Sequence, residues 1–294
     1  MKPAAFDYRA PRSLDDVVVL LNEAPDETTL LAGGQSLVPL LNMRLARPQL
    51  LIDLNRVEDL DEIAQLDGGG LRLGAMVRQR ALETDPAVGR RAPLLPEAAR
   101  HIAHLQIRTR GTLGGSLAHA DPAAELPAVM LALDALMLVR GGGGTSRSIQ
   151  ARDFFRGALT TSLDSGEMLT GVEIPPLAVG TGCAFAEFAQ VHGAFALAGV
   201  AAVVRVDHDG RIDDARIALC GVGPVQYAPA WLGESLVGES PSGKVFADAA
   251  RRVQEEANAL LASHADRGYR SALAGVLAAR ALAAAAARSG GGEG

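Results

Sequence analysis

Leu30-Leu31-Ala32-Gly33-Gly34-Gln35-Ser36-Leu37 is the stretch on which the reading of this 294-residue chain turns. The run 28–32 reads as a short strand and ends in two glycines, after which 37–44 has helical spacing. Glycine lets a backbone turn sharply and lets a ligand approach it with no Cβ in the way. A helix starting at such a turn offers unpaired N–H groups at the positive end of its dipole, and Ser36 adds a hydroxyl. The segment is therefore a candidate phosphate cradle. It is neither GxGxxG nor a Walker A loop, and the same pattern also serves as a plain strand-to-helix connection.

Working outward, Ser13 can cap a helix whose stripe is Leu14, Val17, Val18 and Leu21, and 49–54 reads as a strand. The first 55 or so residues thus read α-β-turn-α-β. Beyond them, 71–74 is strand-like, 93–104 reads as a helix, and Gly111-Thr112-Leu113-Gly114-Gly115-Ser116 as a glycine-dense turn. Segments 134–140 and 146–150 pair around a glycine loop, and 168–174 is a further strand. Pro175-Pro176 and Gly180-Thr181-Gly182 mark a boundary. Strands at 200–207 and 211–219 flank the hairpin signal Asp209-Gly210, and helices follow at 228–236, 244–261 and 268–288.

The second glycine pair is followed by Ala118-His119-Ala120-Asp121-Pro122-Ala123-Ala124-Glu125-Leu126-Pro127. A dinucleotide needs donors for its pyrophosphate and acceptors for its hydroxyls. Two glycine turns with acidic residues downstream of one could supply both; a tight turn before a proline-bounded helix start is the plainer reading of this segment.

Composition narrows the function classes. A net charge of −6 without a Lys/Arg block argues against nucleic acid as partner. Cys183 and Cys220 alone cannot build a disulfide framework, a CxxC metal site or a four-cysteine iron–sulfur ligand set. His101 and His104 form the one close histidine pair, with no third ligand beside them. There is no leader-like apolar segment and no run long enough to span a bilayer, so a cytoplasmic protein is expected.

AGGQSL at 32–37, TLGGSLAHADPAAELP at 112–127 and Asp153-Phe154-Phe155 resemble the FAD-binding medium subunits of aerobic, molybdenum-type carbon monoxide dehydrogenases, in the xanthine dehydrogenase group. The resemblance spans nearly the whole chain. It includes the opening Lys2-Pro3-Ala4-Ala5-Phe6-Asp7-Tyr8, then Gly166-Glu167-Met168-Leu169, and finally Tyr269-Arg270 running into Val276-Leu277 and Arg280.

It implies an α+β fold: a two-part FAD-binding fold of the vanillyl-alcohol-oxidase (PCMH) type over 1–175, with subdomains of about 1–57 and 58–175. A small α+β C-terminal flavoprotein domain over 183–288 and a flexible tail over 289–294 would follow. Non-covalent FAD would be held by Ala32, Gly33, Gly34, Gln35, Ser36 and Leu37 and by Thr112, Leu113, Gly114, Gly115 and Ser116. Glu125 would meet the cofactor's hydroxyls, Leu169 would pack near the flavin ring, and Asp121 either joins them or caps the next helix. No catalytic residue and no metal ligand is expected in this chain. The implied partners are an iron–sulfur small subunit and a molybdopterin large subunit, in a dimer of heterotrimers.

Two other readings compete. A self-contained FAD oxidoreductase of the same fold group needs its own acid/base pair at the flavin, and none is evident. An interaction module that has lost FAD conflicts with the intact glycine loops. One stretch departs from the family pattern: Val191-His192-Gly193-Ala194-Phe195-Ala196 lacks the expected arginine and aspartate, and Glu187 stands where relatives often carry a basic residue. A lost cation disfavours reduced, anionic flavin, so the flavin potential and the electron acceptor stay open, as does the substrate.

Overall fold

The computed structural model describes residues 2–290. The chain opens with β1 (Asp7–Arg9), α1 (Leu14–Glu23), β2 (Thr28–Leu31), α2 (Leu37–Asn42) and β3 (Leu50–Asp53). Ser13 caps α1 as expected, its side chain accepting from the Asp16 N–H. Val17, Val18 and Leu21 of α1 pack on Ile52 and Leu54. The three strands form a parallel sheet in the order β1-β3-β2, with Leu31 opposite Asp53. The C-terminal ends of β2 and β3 are therefore side by side, the edge at which open parallel sheets bind ligands.

A second region holds β4 (Ile63–Gln65), β5 (Leu71–Gly74), α3 (Gln79–Thr84), α4 (Pro86–Arg91), α5 (Leu94–Ala99), α6 (Leu105–Arg108), α7 (Leu113–His119) and α8 (Glu125–Ala132). It continues through β6 (Leu136–Arg140), β7 (Ser146–Gln150), α9 (Ala151–Phe154), β8 (Phe155–Gly157), β9 (Thr160–Thr161) and β10 (Met168–Ile174). Five of its strands form an antiparallel sheet, β4-β5-β10-β6-β7, under a core that includes Leu94, Leu95, Leu113, Leu117, Leu126 and Met130.

Three sequence expectations need correction here. The helix read over 93–104 stops at Ala99, and Ala103 takes a left-handed φ of 41°. The nearly buried Arg108 guanidinium holds that break, donating to the carbonyls of Ile102 and Ala103 at 2.9 and 3.1 Å, so a tertiary contact overrides helical periodicity. The glycine-dense turn at 111–116 is in fact a helix start: Thr112 caps α7, and Gly114 and Gly115 lie in its first turn. Pro122 does not begin the next helix. α8 starts at Glu125, and Asp121 instead closes a turn by accepting from the Ala123 N–H at 2.8 Å.

The last region is β11 (Thr181–Ala189), β12 (Ala196–Val206), β13 (Ile212–Cys220), α10 (Trp231–Leu236), α11 (Gly243–Leu260) and α12 (Arg267–Arg288). Its antiparallel sheet, β11-β12-β13, is buried on both faces. Ala198, Val200, Ala202 and Val204 of β12 belong to the core shared with α11 and α12. Ala201 and Val203 belong to the core of the preceding region. Alternation along one strand thus serves two cores, which is why 196–206 is almost uniformly apolar. α12 is long and apolar enough to cross a membrane, yet Ala274, Ala278, Ala281, Leu282 and Ala285 are packed in the core. Of the tail expected to be flexible, Ser289 and Gly290 are tied to Gly180 by hydrogen bonds, and 291–294 lie outside the described residues.

Side chains stitch this region to the one before it. Glu97 of α5 accepts from the Phe185 N–H of β11 at 3.0 Å and pairs with Arg288 at 2.5 Å. Gln226 donates to the Asp121 carbonyl at 2.6 Å, and the Gly221 N–H to the Pro122 carbonyl at 2.9 Å.

Candidate functional site

The two glycine segments, about 80 residues apart in sequence, meet in space. A Cβ on Gly33 would lie 2.5 Å from the Arg110 carbonyl oxygen and 2.8 Å from Gly111 Cα, and one on Gly115 would lie 3.4 Å from Ala32 Cβ. Between them, at the ends of β2 and β3, is a groove of about 440 Å³ lined by Leu31 to Gln35, Val38, Pro39, Asp53, Asn55, Ile107 and Arg110.

The first loop is a donor cradle. Gly34 adopts a φ of +74°, a conformation that favours glycine. Gln35 folds back to donate to the Gly33 carbonyl at 2.9 Å. The backbone N–H groups of 34–37 donate to nothing among the described residues, and the exposed Ser36 makes no side-chain cap of α2. Such a cluster of free donors at a helix start suits an anion.

The second loop contributes differently from expectation. The N–H groups of Leu113, Gly114, Gly115 and Ser116 already donate to the Val77 carbonyl, the Ala75 carbonyl, Thr112 Oγ1 and the Thr112 carbonyl. Gly114 is packed against Ala75, where a Cβ would come within 2.5 Å of the Ala75 Cβ. Its glycine is demanded by helix-to-loop packing, and what remains for a ligand is the half-buried Ser116 hydroxyl.

Four groups at the groove went unnoticed in the sequence. Asn55 Nδ2 donates to the Ala32 carbonyl at 2.9 Å, and its Oδ1 accepts from Arg78 at 2.7 Å. Arg78 also donates to the Arg110 carbonyl at 2.6 Å, so Arg78 and Asn55 clamp the two loops together. Arg110 lines the groove and forms no salt bridge among the described residues. Asp53 is half-buried, which pushes its carboxyl up, but hydrogen bonds from Tyr8 and Asn55 outweigh this and leave its pKa lowered. The signal that could have found Asp53 and Asn55 is their place at the end of a strand parallel to and beside the one ending in Gly33.

The acids expected downstream lie deeper. Glu125, first residue of α8, is 7% exposed, and burial, then Asp121, pushes its carboxyl up to about 7. Asp121 turns its carboxylate into its own loop. Glu187 on β11 has a side chain 3% exposed, and burial followed by the charge of Glu125 pushes it up to about 8. Leu169 is buried in β10 opposite Val139, next to a register shift. The glycine cradle, its open backbone donors, the Arg110 guanidinium and the Asp53 carboxylate at the groove together match the demands of a dinucleotide.

This fold and groove define a dinucleotide-binding flavoprotein half followed by an α+β domain. Residues 4–177 match the model of the FAD binding domain in molybdopterin dehydrogenase, and 183–285 that of the CO dehydrogenase flavoprotein C-terminal domain. The chain belongs to this family of FAD-binding medium subunits of carbon monoxide dehydrogenase-like molybdenum hydroxylases. The β subunit of caffeine dehydrogenase from Pseudomonas sp. (strain CBB1) is 39% identical over 288 residues, 98% of this chain and 97% of that one. Carbon monoxide dehydrogenase from Hydrogenophaga pseudoflava superposes with a TM-score of 0.91 at 35% identity, over 98% of this chain and 100% of that one. Quinoline 2-oxidoreductase from Pseudomonas putida 86 gives 0.88 at 40% identity, over 98% and 99%.

Proposed function

We propose that this chain is the electron-transfer subunit of a molybdenum hydroxylase, cytoplasmic, holding one non-covalent FAD with its pyrophosphate in the groove between the glycine loops. The observation that carries the reading is the convergence of those loops around unpaired backbone donors at 34–37. Gly33, Gly34, Gln35 and Ser36 would present N–H groups to one phosphate, Arg110 and the Ser116 hydroxyl to the other, and Asp53 would accept from a ribose hydroxyl. Ala32 and Leu37 would flank the cradle, Thr112, Leu113, Gly114 and Gly115 would hold α7 against it, and Glu125 would accept from the ribityl hydroxyls. Leu169 would pack toward the ring, and Asp121 would act by shaping the turn before Glu125. The FAD-binding part would be 1–175 and the C-terminal part 183–288.

When bound, FAD supplies the redox chemistry, and the chain positions it and tunes it. Electrons would arrive from an iron–sulfur subunit and leave to an external acceptor, while a molybdopterin subunit acts on the substrate, in a dimer of three-chain units. Relatives of similar likeness are named for caffeine, carbon monoxide and quinoline, as expected if substrate choice sits on another chain. The test is to purify the chain alone and anaerobically, titrate FAD, then offer carbon monoxide, purines, aldehydes and heterocycles. We expect one acid-releasable FAD, bleached by a chemical donor and by none of the substrates. Bleaching by a substrate without a partner would establish the self-contained oxidoreductase instead.

A further inference from the structure

Two stretches singled out in the sequence, Tyr269-Arg270 to Arg280 and the atypical 191–196, supply nothing to the groove, yet they come together on one surface. Tyr269, Val276 and Arg280 recur at intervals of seven and four residues, so they stack along one exposed stripe of α12. The exposed Phe188, near the end of β11, meets the Tyr269 ring edge-on at 6.3 Å. Just beyond it the β11–β12 hairpin turns through Gly193, and its tip leaves Val191 68% and Phe195 69% exposed. The tip, 190–195, contains no Asp, Glu, Lys or Arg. Single exposed apolar side chains are ordinary. Five on one hairpin and the helix stripe beside it mark a place of association.

Charge indicates what associates there. The chain as a whole carries −6, while α12 contains four arginines and no acid. Arg288 pairs with Glu97 and Arg270 with Asp266, but Arg267 and Arg280 form no salt bridge among the described residues. Aromatic side chains with unpaired guanidinium groups beside them complement an acidic protein surface, and they are the residue types that dominate interface energetics.

Position narrows the partner further. The hairpin tip rests on His104: the His192 and His104 rings are 5.9 Å apart, and a Cβ on Gly193 would come within 2.6 Å of the His104 ring. α6 starts directly after His104 with the exposed Leu105, and Ile107 on the same helix lines the groove. Three residues of helix rise about 5 Å, so hairpin and groove are about one turn apart. Electron transfer slows steeply with distance, which favours a donor docked beside the flavin it reduces. An iron–sulfur cluster held by four thiolates is itself anionic and gives the protein around it a negative pole.

We propose that the β11–β12 hairpin tip and the Tyr269, Val276 and Arg280 stripe of α12 form the docking face for an iron–sulfur subunit. The aromatic side chains form the buried centre of that interface, and Arg267 and Arg280 pair with acidic residues of the partner. The proposal rests on the groove being the FAD site, since that is what gives nearness to His104 its meaning.

The test starts from the complex, purified through a tag on this full chain and identified by its iron and molybdenum content. Its subunits are separated in urea and recombined. Calorimetry then measures the affinity of the chain for the iron–sulfur subunit at low and high salt, for wild type, Phe195→Ser, Arg280→Glu and a control, Val19→Ser on α1. Phe195→Ser and Arg280→Glu should each weaken binding by roughly tenfold or more, wild-type affinity should fall with salt, and Val19→Ser should bind as wild type does. All three replaced side chains are exposed, so melting temperature and FAD titration should stay at wild-type values. Undiminished affinity in Phe195→Ser or in Arg280→Glu would overturn the proposal. So would losses confined to the molybdopterin subunit, to anionic lipid vesicles or to self-association of this chain in sedimentation, each of which gives the face another occupant. A chain that shows both losses but binds no FAD keeps the docking face and refutes the FAD site. A chain that binds FAD without the losses does the reverse.

Discussion

At the scale of single residues, the two glycine pairs do different work, and substitutions separate them. Gly33→Val pushes a branched Cβ into the Arg110 carbonyl and should abolish FAD binding by parting the loops. Gly114→Val meets the Ala75 backbone instead and should lower the melting temperature whether or not FAD is present, so it reports on packing. Ser116→Ala is the gentler probe: its hydroxyl has no hydrogen-bond partner among the described residues, so FAD affinity should fall by about 0.5–1.5 kcal/mol in a fluorescence titration with the apo melting temperature unmoved. Glu125→Ala should weaken FAD binding by about 1–3 kcal/mol. An unchanged apo melting temperature is not expected there, because the side chain is buried. The pKa values of Glu125 and Glu187 are raised on folding, so the folded chain binds more protons than the unfolded one between about pH 4.5 and 8. Their contribution to stability is complete below that window and is lost as pH rises through it. Apo melting temperature should therefore decline from pH 5 toward pH 9, and the decline should shrink in Glu125→Ala.

At the scale of elements, the strands and most helices were legible because their side chains alternate or recur with one clear period. Residues 136–140 and 146–150 pair around their glycine loop, 168–174 is a strand, and the Asp209-Gly210 hairpin joins β12 and β13 as read. The rest was not legible where a particular side-chain contact, rather than periodicity, decides. Arg108 ends the helix after Ala99, and the glycines of α7 look like a turn until Thr112 is seen capping them. The Asn55–Arg78 clamp was invisible because each residue is an ordinary polar residue in its own segment. Asn55→Ala leaves the Ala32 carbonyl and the Arg78 guanidinium without that partner. It should cost about 1–3 kcal/mol of stability and lower FAD affinity in the same titration, whereas Ser13→Ala at the α1 cap should cost about 1 kcal/mol with affinity unchanged.

At the scale of the whole molecule, the junction between the FAD-binding half and the C-terminal sheet is held by few polar ties, and Glu97 makes two of them. Glu97→Ala should broaden the calorimetric transition or split it, and should speed proteolysis around 178–182, because the sheet then unfolds less cooperatively with the first half. A single sharp transition at the wild-type temperature would show that apolar packing of α5 and α8 on that sheet suffices. The sequence alone determined the α+β character, the order of the elements and the two candidate loops, since periodicity and glycine placement are local properties. Its motifs also carried the family resemblance. Only the tertiary structure decided that the loops meet, which backbone donors stay open between them, and that the Glu125 and Glu187 side chains are buried. Those facts depend on which surfaces pack together, and burial and proximity arise only when segments 60 to 80 residues apart come into contact.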